Sequence, residues 1–160
     1  MTLVFVFAVL ISCAFSRTEF DKKLRFDAYG NFKLLQITDL HYGEDDVNDT
    51  LSTELQTKLV DAEKPDLVVL TGDMLSDYTW NKKNDYFYVL WTRFTTPYLI
   101  RKQPYIYALG NHDAGPYATR REIMERDVTH PFSLSEVGPA DISGAGNYVK
   151  AVWDSKGERI

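Results

Sequence analysis

The amino-acid sequence predicts an α/β domain built on a largely parallel sheet. Short apolar runs typical of strands alternate along the chain with longer segments whose apolar residues recur at helical spacing, as expected for strand–helix–strand units. The chain has 160 residues, of which 44% are hydrophobic and 26% are charged, and these values are ordinary for one globular domain. Right-handed crossovers between parallel strands would place the helices against the sheet.

The first strand is predicted at residues 32–38 and ends at Asp39. A helix is predicted from about residue 50 to residue 63, and Pro65 ends it, because the position before a proline is disfavoured in a helix. The apolar residues that recur at helical spacing in this segment are Leu51, Leu55, Leu59 and Val60.

The second strand is predicted at residues 67–70, a continuous apolar run typical of a strand buried on both faces. Residues 82–101 predict a second helix, in which Pro97 leaves the extent of the last turns open. Its expected apolar side consists of Tyr86, Val89, Leu90 and Phe94. A third strand is predicted at residues 105–109, directly after Pro104.

The last predicted elements are a charged, mostly solvated helix at residues 118–126 and a strand at residues 147–153. Residues 154–157 then resemble a hairpin turn, and three residues follow it. Because a hairpin needs a return strand, we expect the natural sequence to be longer than this chain.

The amino terminus begins with an unbroken apolar run at residues 3–11, and Arg17 is the first charged side chain. The run is shorter than the ~20 residues that span a bilayer. Together with small residues at Ala14 and Ser16 it predicts a signal peptide over residues 1–16, cleaved before Arg17 and leaving no stable membrane anchor. A buried strand and a membrane anchor are the alternatives. Residues 17–160 would form the mature domain.

Asn48 opens an Asn-Asp-Thr triplet, which is an acceptor sequence for N-glycosylation in secreted proteins. The alternative is that one of the three residues caps the following helix. Both interpretations place the triplet on the surface.

The charge balance limits the classes of partner. The formal net charge is −5 and the sequence has no run of Lys or Arg, which argues against an electrostatic grip on nucleic acid or anionic lipid. Cys13 is the only cysteine, so a disulfide within the chain and a cysteine-rich zinc site are both excluded.

Three of the predicted strands end in side chains that commonly bind metal ions. In open α/β sheets ligands bind beyond the carboxyl ends of the strands, so we expect these groups to converge. They are Asp39 and His41 after the first strand, Asp73 after the second, and Asn111, His112 and Asp113 after the third.

The residue types suit a metal site. Residues two apart in an extended segment point the same way, so Asp39 and His41 could hold one ion together. Asp73 could bridge two ions through its two oxygens, and Asn111 offers an amide oxygen. Mixed nitrogen and oxygen ligands without thiolate suit Zn, Mn or Fe. Taken singly, each residue could instead be a turn former, a helix cap or a surface histidine.

These motifs resemble the first three of the calcineurin-like metallophosphoesterases: Asp-x-His at 39–41, Gly-Asp at 72–73 and Gly-Asn-His-Asp at 110–113. The surrounding residues are similar to those of the short, secreted purple-acid-phosphatase-like branch. The resemblance implies a β-sandwich flanked by helices, in the order α/β/β/α, of which this chain would supply the N-terminal half.

The resemblance also implies roles for the matching residues. Asp39 and His41 would bind the first metal, Asp73 would bridge both metals and Asn111 would bind the second. His112 would protonate the leaving oxygen or stabilise charge, oriented by Asp113. The implied reaction is hydrolysis of a phosphoester by a metal-activated hydroxide at a dinuclear centre.

The sequence departs from the family pattern at two places. Ser76 stands where purple acid phosphatases carry an iron-binding Tyr three residues after the bridging Asp, and Tyr78 is interpreted as a loop or core residue. The family also needs three later histidines, whereas His130 comes too early and is interpreted as a helix-end residue. The second metal site is therefore expected to be incomplete in this chain, which resembles a fragment.

These observations predict a secreted or endomembrane phosphatase that acts on a small phosphomonoester or a phosphoprotein. A catalytically inactive binding or regulatory relative is one alternative, since the missing histidines would permit it. A phosphodiesterase or nuclease of the same family is another. A purely structural α/β domain would require all three motifs to be coincidental.

Overall fold

A computed structural model describes residues 23–158, apart from residues 81, 83 and 84. The predicted signal peptide and Cys13 lie outside the described residues. The elements, in chain order, are β1 (Leu24–Arg25), β2 (Leu34–Ile37), α1 (Asp46–Glu63), β3 (Leu67–Leu70), α2 (Tyr86–Arg101), β4 (Tyr105–Tyr107), α3 (Arg120–Asp127) and β5 (Val152–Trp153).

The predicted α/β class with parallel strands is confirmed. Strands β2, β3 and β4 form a parallel sheet in that order, and β1 pairs in parallel with β5 in a separate two-stranded sheet. In the larger sheet Val68 lies between Leu35 and Tyr105, and Leu70 lies between Ile37 and Tyr107. Helices α1 and α2 are the crossovers between the three strands.

Strand β3 has the predicted bounds, whereas β2, β4 and β5 are shorter than predicted and β1 was not predicted. β2 ends at Ile37 and β4 at Tyr107, one and two residues before the predicted ends. At the end of β2 the chain leaves the extended conformation, since Asp39 has a φ of 55°. The turn expected at residues 154–157 is present, with the N–H of Gly157 donating to the carbonyl of Asp154 at 3.0 Å.

Helix α1 begins four residues earlier than predicted. Asp45 is its cap, because the Asp45 carboxylate accepts the backbone N–H of Asn48 at 2.8 Å. The alternative that one of residues 48–50 caps this helix is therefore wrong. Asn48 lies in the first turn and is exposed, so the triplet is on the surface as expected.

The apolar face predicted for α1 is only partly buried. Leu51 and Leu55 are 55% and 52% exposed, whereas the polar Asp49 and Gln56 are buried. The reason is that α1 meets its neighbours through polar groups. The Asp49 carboxylate accepts from Arg93 of α2 at 3.0 Å, and the Gln56 amide donates to Tyr42 at 2.6 Å.

Helix α2 continues to Arg101 with Pro97 inside it, so the proline does not end the helix. Val89, expected on its apolar side, is exposed. The helix instead buries Phe94 and Tyr98, whose rings lie against Tyr107 and Tyr105 of β4 at centroid distances of 5.7 and 5.1 Å.

The two faces of the larger sheet have different surroundings. On the face that meets the helices, Val68 and Leu70 are fully buried. On the opposite face Val69 is only partly buried, although the continuous apolar run predicts a strand covered on both sides. A cavity of about 480 Å³ lies there, and its walls include Phe26 and Ile106. In the described part of the chain, no helix is both long and apolar enough to cross a bilayer.

Candidate metal centre

The loops that follow β2 and β3 run side by side, because their backbones remain hydrogen-bonded beyond the strands. The N–H of Asp39 donates to the carbonyl of Gly72 at 3.0 Å, and the N–H of His41 donates to the carbonyl of Asp73 at 3.0 Å. The N–H of Tyr42 then donates to Met74 at 2.9 Å. This pairing brings the first two motifs together at the carboxyl edge of the sheet.

Three of the predicted ligands have left-handed backbone. The φ angles are 55° at Asp39, 47° at His41 and 51° at Asp73. The expectation that Asp39 and His41 converge because the chain is extended is therefore wrong. They converge because the backbone turns through left-handed conformations after β2. Asp and His are among the non-glycine residues that adopt the left-handed conformation most readily. Such strained positions cluster at functional sites.

Glycines allow the second and third loops to touch. A Cβ at Gly72, where φ is 102°, would lie 2.5 Å from the backbone nitrogen of Gly110. A Cβ at Gly110 would in turn lie 2.5 Å from the backbone nitrogen of Asp73. These contacts leave no room for a side chain, so the approach of the two loops depends on both glycines.

Asp39, His41 and Asp73 form the candidate metal cluster. Each offers one ligand atom, and these atoms all lie within 4.8 Å of one another. Nε2 of His41 lies 3.9 Å from Oδ1 of Asp39, which is too long for a hydrogen bond but suits two ligands that share one ion. Two carboxylates this close repel each other unless a cation or proton intervenes. The donor set therefore fits a divalent metal such as Zn, Mn or Fe.

The third motif lies against this cluster. The backbone N–H of His112 donates to Oδ1 of Asp73 at 2.8 Å, and the rings of His41 and His112 have centroids 5.3 Å apart. Asn111 directly precedes His112 and is exposed. The hydrogen bond from His112 therefore holds the loop after β4, which includes Asn111, next to Asp73.

The imidazole of His112 is oriented by Asp77 and Tyr78. Its Nδ1 lies 2.8 Å from Oδ1 of Asp77, and its Nε2 lies 3.3 Å from the hydroxyl of Tyr78. The hydrogen bond to the Asp77 carboxylate raises the pKa of His112 above its usual value, since it favours the charged imidazolium. Asp77 is a functional candidate that the sequence motifs did not reveal.

Asp113 points into the protein and joins the loops. Its carboxylate accepts the backbone N–H groups of Asp73, Leu75 and Gly110 at 2.9, 3.0 and 2.6 Å. The side chain is fully buried. The contact expected between Asp113 and the His112 ring is thus made by Asp77, and Asp113 supports the site through the backbone.

Glu44 and Tyr78 are further site neighbours. Oε1 of Glu44 lies 3.0 Å from Nδ1 of His41 and accepts the hydroxyl of Ser76 at 2.8 Å. The Ser76 hydrogen bond lowers the pKa of the Glu44 carboxyl. Of the two positions predicted for Tyr78, loop or core, the structure shows the loop, and the side chain is 73% exposed. The sequence motifs did not identify Glu44 as part of the site.

His130 is separate from this cluster. It follows α3, as its interpretation as a helix-end residue predicts, and its N–H donates to the carbonyl of Asp127 at 2.9 Å. The ring is buried beside Trp91 and Tyr105.

Comparison with known proteins supports the metal-site interpretation. The family model of the calcineurin-like phosphoesterases matches residues 32–156. The chain is 32% identical to probable inactive purple acid phosphatase 29 of Arabidopsis thaliana over 156 residues, which cover 84% of the chain and 39% of that relative. It is also 32% identical to probable inactive purple acid phosphatase 14 of the same plant over 168 residues, or 92% and 41% of the two chains.

A fungal protein is similar as well. Phosphatase DCR2 of Saccharomyces cerevisiae is 26% identical over 148 residues, which cover 82% of the chain and 25% of that relative. The chain therefore spans about two fifths of the plant relatives and a quarter of the yeast protein. This coverage is consistent with the expectation that the chain is a fragment.

Proposed function

Because the chain belongs to the calcineurin-like phosphoesterase family, we propose that it is the N-terminal part of a metal-dependent phosphatase that hydrolyses phosphomonoesters. The observation that carries this proposal is the convergence of Asp39, His41 and Asp73 within 4.8 Å. The third motif lies beside them, with the His112 N–H on the Asp73 carboxylate.

The side chains divide into those that would hold metal and those that would act on substrate. Asp39 and His41 would hold the first ion, Asp73 would bridge to a second ion, and Asn111 would offer its amide oxygen to the second. Metal ions bound at these ligands supply an activated water and neutralise charge on the phosphoryl group. Further ligands for the second ion would come from the remainder of a longer protein.

His112 would act on the leaving group. Because Nδ1 faces the Asp77 carboxylate, Nε2 is the nitrogen that can donate a proton to the departing oxygen. The hydrogen bond to Asp77 raises the pKa of His112, which favours the protonated form that a general acid needs. Asp113, a predicted catalytic residue, would contribute by holding the three loops in register.

The substrate would be a small phosphomonoester or a phosphoprotein. A net charge of −5 disfavours polyanionic nucleic acid. We place the protein outside the cell or in an endomembrane or vacuolar lumen. The apolar run at residues 3–11 supports this, and so does the exposed Asn48 sequon, which would be available for glycosylation.

A second candidate is a catalytically inactive relative that binds phosphoesters or regulates a partner. Its support is that two of the similar plant proteins are named as probable inactive phosphatases. Such a protein would keep metal binding at Asp39, His41 and Asp73 while lacking turnover, so metal affinity and phosphate release must be measured separately.

The test is the Asp73→Asn change in the full-length protein. We expect it to lower phosphate release from p-nitrophenyl phosphate by roughly 10³-fold or more with Zn²⁺ or Mn²⁺ present, since the lost charge is worth several kcal/mol in the transition state. The melting temperature without metal should change little, because Asn tolerates a φ of 51°.

The matched control is Asp85→Asn, the same chemical change at an exposed residue directly before α2, which should retain full activity. Wild-type turnover by the Asp73→Asn variant would contradict the proposal. Zn²⁺ binding by the wild type without any metal-dependent phosphate release would favour the inactive relative.

A further inference from the structure

Glu44 and Ser76 form a short hydrogen-bonded chain that ends on His41 of the candidate metal cluster. The hydroxyl of Ser76 donates to Oε1 of Glu44 at 2.8 Å, and the same oxygen lies 3.0 Å from Nδ1 of His41. None of the three family motifs includes either residue. From this geometry we infer that Glu44 is a positioning residue, which fixes His41 in the tautomer that leaves Nε2 free to bind the metal.

The tautomer of His41 follows from the donors and acceptors that surround its ring. An ionised carboxylate can only accept, so the nitrogen facing Glu44 must carry the proton. Nε2 of His41 then has a lone pair, and it points toward Oδ1 of Asp39 at 3.9 Å. Metal-binding histidines generally donate their second N–H to a carboxylate or carbonyl, which sets ring orientation and raises ligand basicity.

Ser76 keeps Glu44 in place because Ser76 itself is rigidly held. It is fully buried, its N–H donates to the carbonyl of Tyr42 at 3.0 Å, and its carbonyl accepts the hydroxyl of Tyr86 at 2.7 Å. Glu44 is half exposed and would otherwise sample several rotamers. A buried hydroxyl on a fixed backbone therefore restricts the mobile carboxylate to one orientation.

The position of Ser76 gives this chain a specific role. It lies three residues after Asp73, the place at which purple acid phosphatases carry an iron-binding Tyr and from which this sequence departs. In this chain the Ser76 hydroxyl instead donates to Glu44, and Glu44 contacts His41. The inference rests on the proposed function only in taking His41 as a metal ligand.

The first measurement is the ¹⁵N NMR spectrum of the metal-free, full-length protein with ¹⁵N-labelled histidine, at a pH where His41 is neutral. Protonated and unprotonated ring nitrogens have well-separated shifts, and the signals of His41 are assigned by their absence in His41→Asn. We expect the proton on Nδ1. A proton on Nε2 would overturn the inference without bearing on whether the protein is a phosphatase.

The second measurement compares variants for the same spectrum and for Zn²⁺ affinity in competition with a chromophoric chelator. Glu44→Ala should mix the tautomers and weaken Zn²⁺ binding by roughly 10–100-fold. Ser76→Ala should change both readouts in the same direction but less. Glu44→Gln should keep the tautomer, because its amide carbonyl can still accept from Nδ1.

The control is Glu54→Ala, which removes the same charge from an exposed pair with Lys58 on α1 and should change neither readout. If Glu44→Ala leaves the tautomer or the Zn²⁺ affinity at the wild-type value, Glu44 is not a positioning residue for the metal. If the wild type binds neither Zn²⁺ nor Mn²⁺, the proposed function fails, while the tautomer in the metal-free protein still decides the orientation of His41.

Discussion

Asp73 and Asp113 lie next to each other at the carboxyl edge of the sheet, yet their carboxylates have opposite surroundings. Asp73 is partly exposed, accepts the N–H of His112 at 2.8 Å and faces Asp39 and His41. Asp113 is fully buried and accepts three backbone N–H groups. The Asp73 carboxylate therefore has oxygen lone pairs available to bind a cation. The lone pairs of Asp113 are instead occupied by backbone N–H donors of the protein.

Asp127 extends the comparison into the core. Its carboxylate accepts from Tyr105 and Ser133 at 2.7 Å each, and from the indole N–H of Trp91 at 3.3 Å. Burial raises the pKa of Asp127. Among the described residues, the interior carboxylates Asp113 and Asp127 therefore hold the fold together, whereas those at the edge with unfilled lone pairs are candidates for binding metal.

The largest expected effect is at Asp113. Asp113→Ala should lower the free energy of unfolding by roughly 3–6 kcal/mol, because three backbone N–H groups each lose their acceptor. Urea denaturation of the full-length protein measures this change. Asp141→Ala, at an exposed loop position, is the control and should stay near the wild-type value. A stable Asp113→Ala protein that has lost only activity would instead mean that Asp113 acts like Asp73.

The next effect is a pH dependence of stability that arises from His130 in the core. Burial lowers the pKa of His130 to about 4, and the nearby charge of Arg126 acts in the same direction. The folded state therefore keeps His130 neutral, while the unfolded chain takes up a proton below about pH 6.5. Stability from this group is complete above pH 6.5 and is lost as the pH falls toward 4.

The variant His130→Gln removes this titration and can still accept the N–H of Phe132, which His130 now accepts at 3.2 Å. Between pH 7 and pH 4 we expect the wild type to lose about 3 kcal/mol more stability than the variant. Urea midpoints at several pH values measure the difference. Equal pH dependence in the two proteins would show that His130 titrates normally.

The smallest effect compares two adjacent residues of α1. Gln56→Leu should cost roughly 1–3 kcal/mol, because the Tyr98 hydroxyl loses its acceptor and the hydroxyl of Tyr42 loses a donor. Leu55→Ala should change stability by only about 0.5 kcal/mol, since Leu55 is half exposed. Thermal unfolding of both variants checks the order. The reverse order would mean that the hydropathy pattern of α1 describes its buried face after all.

The site could be predicted in part because its residues follow strands that the sequence marks clearly. Asp39, His41 and Asp73 were identified from their place after apolar runs, and the structure brings them together. Asp77 and Glu44 were not, because neither belongs to a strand end. Asp77 contacts His112 of the loop after β4, and Glu44 is held by Ser76 of the loop after β3, so both contacts depend on how the loops pack together.

The sequence alone determined the α/β class, the order of the elements from β2 onward and the three motifs, because local hydrophobic periodicity and the residues at strand ends carry that information. Tertiary structure decided which carboxylates are buried, which face of α1 packs and which partner orients His112. These outcomes depend on contacts between residues far apart in the chain, such as Asp77 with His112 or Gln56 with Tyr98. The hydropathy of a residue does not show which distant residue it will contact. A buried polar group is stable only when its hydrogen-bond partners are in place, and those partners are brought together by the tertiary structure.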